Sequence, residues 1–212
     1  MAAHDDHFDS TSATWDEDPG KVRSAGQVAA DIARRVPEAA GGRLLEYGAG
    51  TGLVTQALVG YLAPVAPIVL VDSSSGMRKV IEEKIVAGSL PEGSQVWDLD
   101  LSDAATPLPD ERFDLVVASM VLHHVPDLAT ALGNLTELLL PGGHLAIADL
   151  DAEDGSFHAH LHDFDGHHGF VREDVATALR EAGLDQVVIE DCHAIERDDQ
   201  PYTVFLATAR RP

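Results

Sequence analysis

Residues 44–52, Leu-Leu-Glu-Tyr-Gly-Ala-Gly-Thr-Gly, carry an apolar stretch into three alternating glycines and on into a helical pattern. Glycine tolerates positive φ and adds no side chain, so such a turn lets backbone N–H groups approach a ligand. The helix that follows presents its positive dipole end to a carboxylate or phosphate. Twenty residues past Gly52, Asp72 closes a second apolar run, Ile68-Val69-Leu70-Val71, where a carboxylate can accept from two ribose hydroxyls. Together they predict a nucleoside cofactor. The spacing Gly48-x-Gly50-x-Gly52 is one residue tighter than the G-x-G-x-x-G of dinucleotide sites and follows an acid, Glu46, which favours S-adenosylmethionine over NAD. Taken alone, the glycines also read as an ordinary tight strand-to-helix turn.

Histidine is the second anomaly: the chain has eleven, clustered as His123-His124, His158-x-His160-x-His162 and His167-His168. Two functional readings compete. An imidazole near the reacting atoms can act as a general base, because its ordinary pKa near 6.5 suits proton removal at neutral pH; His124 leads by position, with His123 and His168 as further candidates. Alternatively, the loop histidines with Asp163 and Asp165 offer imidazole and carboxylate ligands to a divalent metal, since alternation puts the rings on one side of an extended segment. So polar a loop also reads as merely solvated, and no metal ligand is assigned. Asp149, Asp151, Glu153 and Asp154 could hold substrate or metal, but on so acidic a chain they read as a solvated edge.

Four ordered stretches carry a resemblance: residues 46–52 (Glu-Tyr-Gly-Ala-Gly-Thr-Gly), 71–77 (Val-Asp-Ser-Ser-Ser-Gly-Met), 107–125 (from Pro107-Leu108-Pro109 through Phe113-Asp114 to Leu122-His123-His124-Val125) and 139–147 (Leu-Leu-Pro-Gly-Gly-His-Leu-Ala-Ile). In type, order and spacing they resemble the class I S-adenosylmethionine-dependent methyltransferases, specifically the UbiE-like branch that methylates small molecules. The resemblance spans residues 40–150 and weakens toward both ends. It implies that Gly48, Ala49, Gly50 and Gly52 face the methionine part of the cofactor, which Glu46 orients, that Asp72 and Ser73 meet the ribose, and that Met77 lies against adenine. It also implies that Asp100 accepts from the adenine amino group while Leu101 covers a ring face, and that Ser119 and Met120 border the methionine moiety. Trp15, with Lys21 and Arg23, is expected either to fold over the site or to pack as a solvated leader. The ring of His123 is expected to pack or to bond backbone.

These residues need a scaffold, and the pattern supplies one. Strand-like runs at 43–47, 68–72, 95–99, 113–119 and 144–150 alternate with helical runs at 53–62, 76–87 and 128–140, predicting a parallel sheet. A helix is expected from a capping box at Ser24-x-x-Gln27 to just before Pro37, after an extended segment. Pro141-Gly142-Gly143 reads as the turn before the fifth strand. After about twenty irregular residues, a helix at 172–182 precedes two runs, 186–192 and 202–209, expected to pair antiparallel. The fold class is therefore α/β: a Rossmann-like, doubly wound, mostly parallel seven-stranded sheet with a C-terminal antiparallel hairpin. Residues 1–23 read as an N-terminal lid and 24–212 as one catalytic domain.

Composition narrows the function. The chain has 212 residues, 45% of them apolar, enough for one domain with a sizeable core. Fourteen basic residues against thirty-six acidic give a net charge of −22, which repels nucleic acid. No run is long and apolar enough for a membrane, and residues 1–15 lack the pattern of a secretory leader. A single cysteine, Cys192, suits a reducing cytoplasm and reads as a small apolar residue in a late strand. The expectation is methyl transfer from S-adenosylmethionine to a small molecule. A cofactor-binding regulatory module without chemistry and an NAD-dependent reductase are the alternatives.

Overall fold

The computed structural model describes residues 8–159 and 164–212. Its seven-stranded sheet comprises β1 (Arg43–Tyr47), β2 (Val65–Val71), β3 (Gln95–Trp97), β4 (Phe113–Ser119), β5 (Leu139–Leu150), β6 (Asp185–Arg197) and β7 (Gln200–Arg210), in the order β3-β2-β1-β4-β5-β7-β6. β1 to β5 pair in parallel, while β7 runs antiparallel between β5 and β6. The expected α/β class and C-terminal hairpin are both present.

The order reverses between β1 and β4. Crossovers from these two strands leave toward opposite sides, opening a crevice beyond their carboxyl ends, where ligands of open α/β sheets sit. Helices α1 (Pro19–Arg35), α2 (Leu53–Leu62) and α3 (Ser75–Val86) cover one face, packing Ile32, Leu58 and Ile81 into a core with Leu44, Leu70 and Val117. Helices α4 (Leu128–Glu137) and α5 (Arg172–Glu181) cover the other, where Leu132, Leu135 and Leu179 meet Leu45, Val69 and Val116. With both faces covered, the central strands are apolar throughout instead of alternating.

Several boundaries differ from expectation, and three of the differences have a local cause. The first long helix begins at Pro19, because Asp18 caps it by accepting from Gly20 N at 2.7 Å and proline at the first position has φ preset for a helix. Residues 12–17 before it form a 3-10 helix instead of an extended leader. Pro141-Gly142-Gly143 lies inside β5 as a bulge: Leu139 pairs with Phe113 and His144 with Leu115, so the intervening residues loop out. Cys192 is half-buried in β6, and burial pushes its thiol up to about 12, consistent with a small apolar residue.

Candidate functional site

The bend after β1 is built from left-handed backbone. Gly48, Gly50 and Gly52 have φ of 65°, 56° and 79°. A Cβ on Gly48 would collide with the side chain of Val121, whereas one on Gly50 would meet only Trp15 Nε1, at 4.0 Å. The first glycine is therefore required by packing, and the second leaves space in front of its backbone. Ala49 N donates to Val71 O at 2.9 Å, tying the bend to the end of β2.

The chain turns just as sharply after β4. Met120 has φ of 54°, rare for a side chain of that size, and its N–H donates to Ala148 O at 2.8 Å. This turn puts Val121 over Gly48 and launches a 3-10 turn, Leu122–His124. A second 3-10 turn, Ser156–His158, comes from the loop after β5. Arg197 Nη1 donates to Phe157 O at 2.5 Å, tying that turn to the end of β6, and His167 N donates to His123 O at 2.7 Å, tying the far end of the loop to the turn after β4.

A cavity of about 600 Å³ connects these features. Its floor is Glu46, Gly48 to Thr51, Ser119 and Met120, its far wall is His123, His124, Phe157 and His158, and Trp15, Lys21 and Arg23 line its rim. Lys21 Nζ lies 3.4 Å from the Trp15 ring centre, a cation–π contact. One ring nitrogen from each of His123, His124 and His158 lies within 4.8 Å of those of the other two.

Glu46 is fully buried at the cavity floor. Its Oε2 accepts from Thr55 N at 3.0 Å and Thr55 Oγ1 at 2.5 Å. Burial pushes the carboxyl up to about 7, with the Thr55 bonds opposing. Asp72 uses both oxygens on backbone: Oδ2 accepts from Gly50 N at 2.7 Å and Oδ1 from Ser74 N at 2.9 Å. It thus braces the bend from the end of β2, outside the cavity wall.

A family profile described as a methyltransferase domain matches residues 22–189. The chain belongs to the methyltransferase domain family. An uncharacterized methyltransferase of Schizosaccharomyces pombe is 34% identical over 152 residues, covering 66% of this chain and 52% of that protein. The bifunctional biotin-biosynthesis protein BioCD of Bordetella avium is 29% identical over 153 residues, covering 69% and 30%. The chain thus spans about half the length, or less, of the curated relatives it matches. A Haloferax volcanii chain, solved in complex with the Trm112 methyltransferase activator, superposes with a TM-score of 0.77 at 19% identity over 97% of each chain. The N-methyltransferase NodS of Bradyrhizobium japonicum, solved with S-adenosylhomocysteine, superposes at 0.68 and 22% identity, over 93% of this chain and 90% of that one. At such identities the structures show a shared fold.

Membership carries the Rossmann-like fold, S-adenosylmethionine as the cofactor and the enzyme class. In this methyltransferase domain the open space at Gly50, where the bend lines the cavity, fits that cofactor. Met77 and Leu101 are buried, and Ser73 is exposed beside Asp72, none of them in the cavity wall. Asp100 Oδ1 accepts from Ser102 N at 2.9 Å and Ser102 Oγ at 2.6 Å, capping the turn after β3.

Three positions depart from the reading of the sequence. His168 does not join the cavity: Glu153 N donates to its carbonyl at 2.9 Å, and its half-exposed ring pairs with Glu153 Oε1 at 3.5 Å. Asp149 is no solvated edge; it is fully buried at the end of β5, with Oδ1 2.6 Å from His123 Nδ1. Among the proposed loop ligands, His160, His162 and Asp163 lie outside the described residues, and Asp165 is exposed. The imidazole trio instead joins His158 to His123 and His124.

Two residues that sequence reasoning missed hold the N-terminal segment over the site. Asp9 Oδ1 accepts from Ser74 Oγ at 2.5 Å and Gly76 N at 2.8 Å at the start of α3. Asp16 accepts from Thr51 Oγ1 at 2.5 Å and pairs with Lys84 Nζ at 2.5 Å. An aspartate in an acidic leader carries no local signal of such a partner.

Proposed function

We propose that this methyltransferase domain passes the methyl group of S-adenosylmethionine to a small-molecule acceptor seated against the His123–His124–His158 wall. One observation carries the reading: the cavity runs without a break from the glycine bend to the imidazoles, so a methyl donor on the bend faces whatever lies against them. When bound, the cofactor supplies an electrophilic methyl carbon on a sulfonium. The protein's part is to hold the acceptor in line with it, since alignment alone can contribute several kcal/mol, up to roughly 10, to lowering the barrier.

Lys21 and Arg23 stand at the rim to meet the cofactor carboxylate, Glu46 orients its ammonium, and Asp72 offers its carboxylate to the ribose. With the cofactor bound, its methyl group would be offered to an acceptor that the His123–His124–His158 wall holds in line with it. A cavity of about 600 Å³ shared between cofactor and acceptor suits a small molecule better than a polymer.

Incubation with methyl-labelled S-adenosylmethionine and panels of phenols, quinols, acids, thiols and amines is expected to give a labelled product and S-adenosylhomocysteine. Calorimetry is expected to show S-adenosylhomocysteine binding and no NADH binding. Preference for NADH would end the reading. Tight S-adenosylhomocysteine binding with no turnover across the panels would favour the cofactor-binding module instead.

A further inference from the structure

We propose that His123, His124 and His158 form a binding site for a divalent transition metal at the acceptor end of the cavity. The ligand set is three imidazoles from two 3-10 turns, with one nitrogen of each within 4.8 Å of the others. A tetrahedral ion with Zn–N bonds of about 2.0–2.1 Å needs ligand nitrogens roughly 3.4 Å apart, so nitrogens that already lie within 4.8 Å of one another have at most about 1.4 Å to close.

The group around the trio is what a metal-binding histidine requires. Asp149 Oδ1 lies 2.6 Å from His123 Nδ1, and Asp149 Oδ2 accepts from the backbone of Leu122 at 3.0 Å and His123 at 3.3 Å. A carboxylate fixed in this way accepts the Nδ1–H hydrogen bond of His123, which orients the ring and leaves Nε2 as the atom that can ligate. The position of His158 is fixed independently: its ring stacks on Phe164 at 4.0 Å and 7°, and its turn is clasped by Arg197 on Phe157 O.

The chemistry of the donors narrows the ion. Three neutral nitrogens without a coordinating carboxylate suit zinc, cobalt, nickel or ferrous iron and disfavour magnesium and calcium, which take oxygen. Three protein ligands with the remaining position facing a cavity is the arrangement of a reactive site, where an ion lowers the pKa of a hydroxyl or thiol that touches it. Metal binding itself does not depend on the proposed methyl transfer. The ion's role does, and it points to acceptors that ionise at oxygen or sulfur.

The test uses the full chain, prepared without an affinity tag and stripped with a chelator. Titration with Co²⁺ is expected to give visible absorption bands of four- or five-coordinate cobalt, saturating at one ion per chain and displaced by Zn²⁺. His158→Ala and His124→Ala should abolish the bands, and Asp149→Asn should weaken binding by about 10- to 100-fold. His144→Ala and His168→Ala should leave them unchanged. S-adenosylhomocysteine affinity and circular dichroism, followed in each variant, separate loss of the metal from loss of the fold or of the cofactor site. Absence of the bands in a folded wild-type protein, or bands that persist in His158→Ala, would overturn the site while leaving the cofactor reading intact.

Discussion

Asp149 and His123, on the ends of adjacent strand and turn, form a buried pair with Oδ1 and Nδ1 2.6 Å apart, and the same carboxylate collects the backbone N–H groups of Leu122, His123 and Leu150. Four donors converge on one side chain. Asp149→Ala would leave them buried without an acceptor, so unfolding in urea, in the presence of a chelator, is expected to show a loss of about 3 kcal/mol or more. Asp149→Asn, which keeps an acceptor oxygen, should lose less.

Asp72 is expected to matter twice, as a brace of the Gly50 backbone and as the ribose partner. Asp72→Ala should weaken S-adenosylhomocysteine binding by about 10- to 100-fold, corresponding to one or two charge-assisted hydrogen bonds. Gly50→Val adds a branched side chain at a φ of 56° and fills the space before Trp15. Binding should fall below detection by calorimetry while the protein remains folded.

Glu46 links cofactor affinity to pH. Its carboxyl is raised from 4.5 to about 7 by burial, so folding takes up a proton between those values. The unfolded carboxyl ionises first, and the contribution of Glu46 to stability therefore falls as pH rises from about 4.5 to 7, by up to about 3 kcal/mol. An ammonium that pairs with the carboxylate reverses the preference: S-adenosylhomocysteine affinity should rise with pH through 7, with proton release seen by calorimetry in buffers of different ionisation enthalpy. Glu46→Gln is expected to remove both effects; proton release that persists in it would place the titration elsewhere.

The N-terminal segment is latched by Asp16 to Thr51 and Lys84. Asp16→Asn removes a partly exposed ion pair worth about 1 kcal/mol, so hydrogen exchange over residues 12–17 should quicken by about fivefold, with α2 unaffected. The rates of cofactor entry and exit, measured by stopped flow, should rise together. Unchanged exchange would show that the segment is held by its packing instead.

The sequence by itself determined the bend, the carboxylate at Asp72 and the parallel core, because these are written locally. Glycine spacing sets φ, unbroken apolar runs mark strands covered on both faces, and an acid at a strand end needs no distant partner to be recognised. Where local signals competed, boundaries moved: Asp18 and Pro19 started a helix ahead of the Ser24 box, and Pro141-Gly142-Gly143 became a bulge. Only the tertiary structure decided which histidines meet. His158 joins His123 and His124 because a loop returns over the end of β4, Asp149 is buried because β5 ends beneath that turn, and Asp9 reaches Ser74 across 65 residues of chain. Such contacts are set by how the chain closes in space, and a sequence read along its length contains no term for that distance.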